Sequence, residues 1–235
     1  LITGYAHWEE GHKALTYFEQ MQIEGISPDM ITFICTLKAC GNTKNIEKGQ
    51  QIHKVVSNMG FLEKDVSVGN SLVDMYAKFG MLTKAENVLE ELPVRDVVTW
   101  NSLISGYAQM GHAKRVFSLF NRMRDEGLKP DLVSFLILLS ACNHAGLLNE
   151  GQVVFDDMCS IYHFLPSLEH YSCMVDLFCR AGHFTKVGSL FRRGQWQHTI
   201  YTFGQLEVVG CVVVVRHPFG RKCCGDRAPS SSGLL

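Results

Sequence analysis

The amino-acid sequence predicts an all-α protein, an α-solenoid of stacked helix-turn-helix repeats. Three observations predict it. The phrase NSLVDMYAKFG (Asn70–Gly80) returns thirty-one residues later as NSLISGYAQMG (Asn101–Gly111), with six of eleven positions identical. Around each copy the apolar residues recur at three- and four-residue steps, the spacing of one helix face. After the second copy the chain carries Gly127 and then Pro130-Asp131, and Pro28-Asp29 stands at the matching place earlier, where a helix must stop and the chain must turn.

Taken in order, the first repeat is 1–29, LITGYAHWEEGHKALTYFEQMQIEGISPD, which matches 103–131 without a gap. The second is 30–65. Its segment TFICTLKACGNTKNIEKGQQIH matches SFLILLSACNHAGLLNEGQVVF of the fifth repeat, 132–167. The third, 66–96, carries one stripe of Leu72, Val73, Tyr76 and Ala77 and a second of Ala85, Val88, Leu89 and Leu92. The fourth, 97–131, carries Trp100, Leu103, Ile104, Tyr107 and Ala108, then Val116, Phe117, Leu119, Phe120 and Met123. The sixth runs 168–193 and opens LEHYSCMVDLFCRAG, which matches VSVGNSLVDMYAKFG at the head of the third. Each repeat is therefore expected to be two helices. A single hairpin cannot bury both of its stripes. Stacked neighbours can, leaving a concave face lined by first helices. Tyr76 and Tyr107 lie on the stripes and are expected in the core. Gly127 stands where a left-handed residue would close a helix. Thr32, Thr99 and Ser134 are the expected N-caps of the first helices.

Composition sets limits. Hydrophobic residues make up 46% of the chain, enough for a sizeable core. A net charge of −1 argues against a generic polyanion binder, so any nucleic-acid contact must come from local groups. Nine scattered cysteines suit a reducing compartment better than a disulfide framework. No apolar run is long enough to span a membrane. The chain opens on Leu1 in mid-pattern, which we read as a fragment of a longer protein.

The phrases NSLISGYAQMG, MRDEGLKPD and VGNSLVDMYAKFG closely resemble the pentatricopeptide repeat family. The alternating repeat lengths resemble its plant subfamily with ordinary, long and short repeats. The resemblance covers about residues 1–193. It implies a right-handed solenoid that binds single-stranded RNA in mitochondria or chloroplasts and selects cytidines for C-to-U editing or directs other RNA processing. A deaminase-domain protein or an editing accessory factor would act in trans, or a deaminase domain would belong to the longer protein of which this is a fragment. Reading one base per repeat with two or three side chains is the general rule for such repeats. By resemblance the readers are the fifth and last residues of a repeat. These are Asn70 with Asp96 in the third repeat and Asn101 with Asp131 in the fourth, a pairing that favours uracil and then cytosine. Ser172 is the fifth residue of the sixth repeat. Val98 and Val133, second in their repeats, match positions that pack on base faces, and Ser67 departs from them. Ile34 with Asp65 and Leu136 with Ser167, in the long repeats, match no reading pair.

Catalysis and cofactors are not expected. Zinc deaminases carry H-x-E followed later by P-C-x-x-C, and this chain does not carry that combined signature. Cys40 and Cys142 occupy equivalent places and read as small core residues. Cys223 and Cys224 lack the paired spacing of a zinc site. Residues 194–235 lose the repeat pattern. EVVGCVVVV is strand-like, and the abruptness of the change suggests a shifted reading frame. The competing functional readings are a peptide-binding helical scaffold, which a uniform 34-residue period would favour, and a non-functional truncated product.

Overall fold

The computed structural model describes residues 1–7, 10–193, 207–209 and 212–214. The chain divides into two compact parts, Leu1–Met174 and Val175–Leu235. The first part is helical throughout: α1 (Ile2–His7), α2 (Gly11–Ile23), α3 (Met30–Thr43), α4 (Ile46–Asn58), α5 (Val66–Lys78), α6 (Leu82–Glu91), α7 (Val97–Gln109), α8 (Ala113–Asp125), α9 (Leu132–Ala145), α10 (Leu148–Ser160) and the opening of α11 (Leu168–Arg180). Odd-numbered helices are the first of each hairpin and even-numbered helices the second.

The packing follows from the stripes. Odd helices form one layer, with α1 on α3, α3 on α5, α5 on α7 and α7 on α9. α2, α4, α6, α8 and α10 each lie on the odd helix of their own hairpin, and α2, α6 and α8 also touch the next odd helix. This is the α-solenoid arrangement. Trp100, Leu103, Ile104, Val116, Leu119 and Met123 are all at most 1% exposed, as are Leu72, Val73, Ala85 and Leu89. Burying each large aliphatic side chain contributes about 1.5–3 kcal/mol. Tyr76 is in the core, enclosed by the edge of Phe79 and by His53, whose Nδ1 lies 2.9 Å from its hydroxyl. Tyr107 is only half-buried. Its ring has Arg115 over one face and His112 at its edge, so part of it stays at the surface. Phe117 is half-buried as well.

The helix ends show where the turn chemistry acts. Gly127 closes α8 at φ 82°, with its N–H donating to Arg124 O and the Leu128 N–H donating to Met123 O. That 6→1 and 5→2 pair is the Schellman arrangement. The N-caps differ from the sequence expectation. Asp29, Asp96 and Asp131 are the caps of α3, α7 and α9, while Thr32, Thr99 and Ser134 sit three residues further on. A carboxylate offers two acceptor oxygens to the unpaired first-turn amides and suits the positive helix end, so the aspartate takes the cap.

The second part holds the rest of α11, α12 (Phe184–Arg193) and two short strands. β1 (Glu207–Val209) pairs antiparallel with β2 (Val212–Val214), with Val208 opposite Val213. These strands fall within the segment expected to be strand-like. The other residues of 194–235, Cys223 and Cys224 among them, lie outside the described residues.

Candidate nucleic-acid interface

The site begins with the caps. Asp96 is extended, and its Oδ1 accepts the Thr99 N–H at 2.8 Å. In return Thr99 Oγ1 accepts the Asp96 N–H at 3.2 Å, completing a capping box. Asp131 and Ser134 repeat the geometry at 2.8 and 3.2 Å. Each of these aspartates is the last residue of its repeat, so the cap carries it to the seam between adjacent first helices.

There it meets the fifth residue of the preceding first helix. Asn70 Nδ2 donates to Asp96 Oδ2 at 3.2 Å, and Asn101 Nδ2 donates to Asp131 Oδ1 at 3.0 Å. The two residues that the family resemblance pairs, 26 or 30 positions apart, are thus bonded side chain to side chain. A third group joins each pair. Thr99 Oγ1 donates to Asn70 Oδ1, and Ser134 Oγ donates to Asn101 Oδ1, at 2.8 Å in the latter case. Sequence reasoning missed these two hydroxyls. The spacing Asp-x-x-Thr and Asp-x-x-Ser, a capping-box signature, was the signal that could have found them.

The asparagines and aspartates are partly or wholly enclosed. Asn101 is 7% exposed and Asn70 is half-buried, because their neighbours fill most of the space around each amide. Each amide keeps one N–H and one oxygen lone pair free of these bonds. Beside them, Val98 and Val133 are 54% and 53% exposed, one residue into their helices. Ile31, second in its repeat, is 60% exposed and extends the same row; the sequence reading had not named it. Ser67 is exposed.

The long repeats differ. Ile34 and Leu136 are half-buried and offer no polar edge. Asp65 caps α5 through the Ser67 N–H at 2.7 Å, and that bond holds its carboxyl below the usual range. Ser167 bonds Glu169 at 2.6 Å and faces the buried His170, whose Nε2 lies 2.9 Å from Leu132 O. Ser172 is exposed on α11. Cys40 and Cys142 are fully buried, and burial pushes both thiols up to about 12. Among the described residues no cluster of His, Cys, Asp and Glu could hold a metal ion, and no helix is long and apolar enough to cross a membrane.

Comparison with known proteins adds the following. The chain matches the PPR repeat family over residues 95–144, the pentatricopeptide repeat domain over 1–43, and the PPR repeat at 70–97, 133–161 and 169–195. A pentatricopeptide repeat-containing protein of Arabidopsis thaliana is 41% identical over 183 residues, which is 77% of this chain and 36% of that protein. A second from the same plant is 37% identical over 206 residues, 88% of this chain and 24% of the relative. The chain therefore spans about a quarter to a third of the length of these relatives. Among solved structures, the pentatricopeptide repeat protein PPR10 in complex with an 18-nt psaJ RNA element superposes with a TM-score of 0.71 at 24% identity. That match covers 82% of this chain and 29% of PPR10, and it shows a shared fold.

Proposed function

The chain belongs to the pentatricopeptide repeat family, and on that premise we propose that it is a sequence-specific single-stranded RNA-binding protein. Its class is the plant subfamily of alternating ordinary, long and short repeats, consistent with first helices that begin at Met30, Val66, Val97, Leu132 and Leu168. Its role is that of an organellar specificity factor, in mitochondria or chloroplasts, for C-to-U editing or other RNA processing. It performs no chemistry itself and relies on a deaminase-domain protein or accessory factor in trans.

One observation carries the reading: two consecutive repeats present the same Asn–Asp pair, each with an exposed valine on the next helix. The free N–H and lone pair of each amide form an adjacent donor and acceptor. Uracil offers an acceptor beside a donor on its pairing edge, and cytosine offers a donor beside an acceptor. A purine is larger and would have to displace the valine row to present its own edge. Val98 and Val133 give the flat base an apolar surface. The long repeats, with Ile34 and Leu136 at the fifth position, space the readers without reading. Each matched amide is worth about 1–3 kcal/mol of discrimination on the scale of groove readout in DNA.

The test is a swap. In pentatricopeptide repeats a serine at the fifth position beside a last-position aspartate favours guanine. Asn101→Ser is expected to move the preference at the fourth repeat's nucleotide from U to G and to leave the third repeat's nucleotide unchanged. Sequencing the RNA retained from a randomised single-stranded pool measures both. Equal loss of affinity for all four bases would reduce Asn101 to a first-turn helix residue.

A further inference from the structure

The base-reading pairs have three members in this structure, and the third belongs to the next repeat. Thr99 and Ser134 are the third residues of the fourth and fifth repeats, yet their hydroxyls reach Asn70 and Asn101 of the third and fourth. We infer that Thr99 and Ser134 are positioning residues: each hydroxyl sets the amide orientation of the asparagine in the repeat before it. This rests on the RNA-reading role proposed above.

The hydrogen-bond inventory supports the assignment. A carboxylate only accepts, so the amide nitrogen of each Asn must face Asp and the amide oxygen must face the hydroxyl. The hydroxyl oxygen accepts the Asp backbone N–H, which leaves its one proton to be donated. Asp131 Oδ1 already accepts the Ser134 N–H at 2.8 Å and Asn101 Nδ2 at 3.0 Å. The Ser134 proton therefore goes to Asn101 Oδ1, at 2.8 Å, rather than to the carboxylate at 2.9 Å.

Two internal comparisons point the same way. At Asp29 and Thr32, where no asparagine bonds the pair among the described residues, the hydroxyl closes on the carboxylate at 2.6 Å. With an asparagine present the same contact opens to 2.9 Å in both other pairs, as the hydroxyl turns to the amide. Moreover, the third residue is Thr or Ser where the preceding fifth residue is Asn. Where the preceding fifth residue is Ile34 or Leu136, it is Val68 or His170.

Without the hydroxyl, the amide oxygen loses its donor. The terminal torsion of Asn is broad and nearly two-fold, so the donor and acceptor no longer keep one register toward a base.

The experiment uses the full chain with Thr99→Val and Thr99→Ser, and two readouts. In selection from a randomised single-stranded RNA pool, Thr99→Val is expected to lower the U-over-other ratio at the third repeat's nucleotide about fivefold, the worth of one hydrogen bond. The fourth repeat's nucleotide keeps its ratio, and Thr99→Ser restores the third. In RNA-free protein, the Asn70 side-chain amide signals in NMR are expected to move toward solvent-exposed values in Thr99→Val and not in Thr99→Ser. An unchanged ratio at the third repeat's nucleotide, or a change confined to the fourth, overturns the inference while the RNA reading stands. If wild type shows no base preference, the RNA reading fails. The NMR signals then decide the positioning alone, and an unmoved Asn70 amide overturns it.

Discussion

At the scale of single residues, burial separates positions that the repeat pattern treats as equal. Tyr76 and Tyr107 stand at matching places in the third and fourth repeats. Tyr76 is enclosed and bonded to His53, while Tyr107 shares its face with Arg115 and solvent. Truncation in a core removes both transfer energy and packing. Tyr76→Ala is expected to cost about 3–5 kcal/mol, and Tyr107→Ala less than half as much. Urea denaturation of the two variants checks the order; equal losses would mean that Tyr107 is as enclosed as Tyr76. Burial also limits the asparagines. Asn101 is mostly enclosed by Asp131 and Ser134, so it offers one edge in one direction. That restriction is what a discriminating contact requires, since a freely turning amide would accept several bases.

At the scale of helices, two features make opposite predictions for glycine. α3 ends at Lys44 with φ 57°, where the matching α9 ends at Gly146 with φ 67°. A residue with a Cβ pays for the left-handed conformation, and glycine does not. Lys44→Gly is expected to stabilise the protein by about 0.5–1 kcal/mol, read as a rise in thermal midpoint. A fall would show that the Lys44 side chain makes a contact worth more than the strain. Gly106 is the reverse case. It lies mid-helix in α7, where alanine would ordinarily help by about 1 kcal/mol. A Cβ there would stand 2.8 Å from Ala77 Cβ and 3.3 Å from Ala77 Cα on α5. Those atoms belong to the helix framework and cannot rotate aside, so Gly106→Ala must push α5 and α7 apart. A net loss of about 1–3 kcal/mol is expected in chemical denaturation. A gain would show that the α5–α7 spacing has slack.

At the scale of the whole molecule, the proposed function depends on contacts other than bulk charge. The net charge is −1, and the second helices spend several cations on each other's acids, with Arg115 on Glu86 and Arg122 on Glu90. Single-strand binding falls with salt in proportion to the phosphates neutralised, at about −0.7 per phosphate on a log–log scale. For this chain a slope shallower than about −2 is expected, from fluorescence anisotropy of a labelled RNA over a range of potassium chloride. A slope steeper than about −4 would mean that phosphate attraction dominates and that base reading contributes little.

The sequence by itself determined the helix pairs, because a stripe at three- and four-residue steps with Gly and Pro-Asp breaks leaves the chain no other regular way to bury its apolar residues. The recurrence of Asn70 at Asn101 and of Asp96 at Asp131 was visible there too, and the family resemblance is what paired each Asn with its Asp. The tertiary structure alone decided what surrounds those pairs. Stacking one helix on the next brings Thr99 and Ser134 against asparagines 29 and 33 residues earlier. It also brings the capping Asp96 and Asp131 to those amides, so that one carboxylate satisfies a helix end and an asparagine at once. Contacts between neighbouring repeats depend on the rise and angle of the stack. Those are set by side-chain volumes at the helix interfaces, such as the missing Cβ of Gly106 against Ala77, and no repeat alignment contains them.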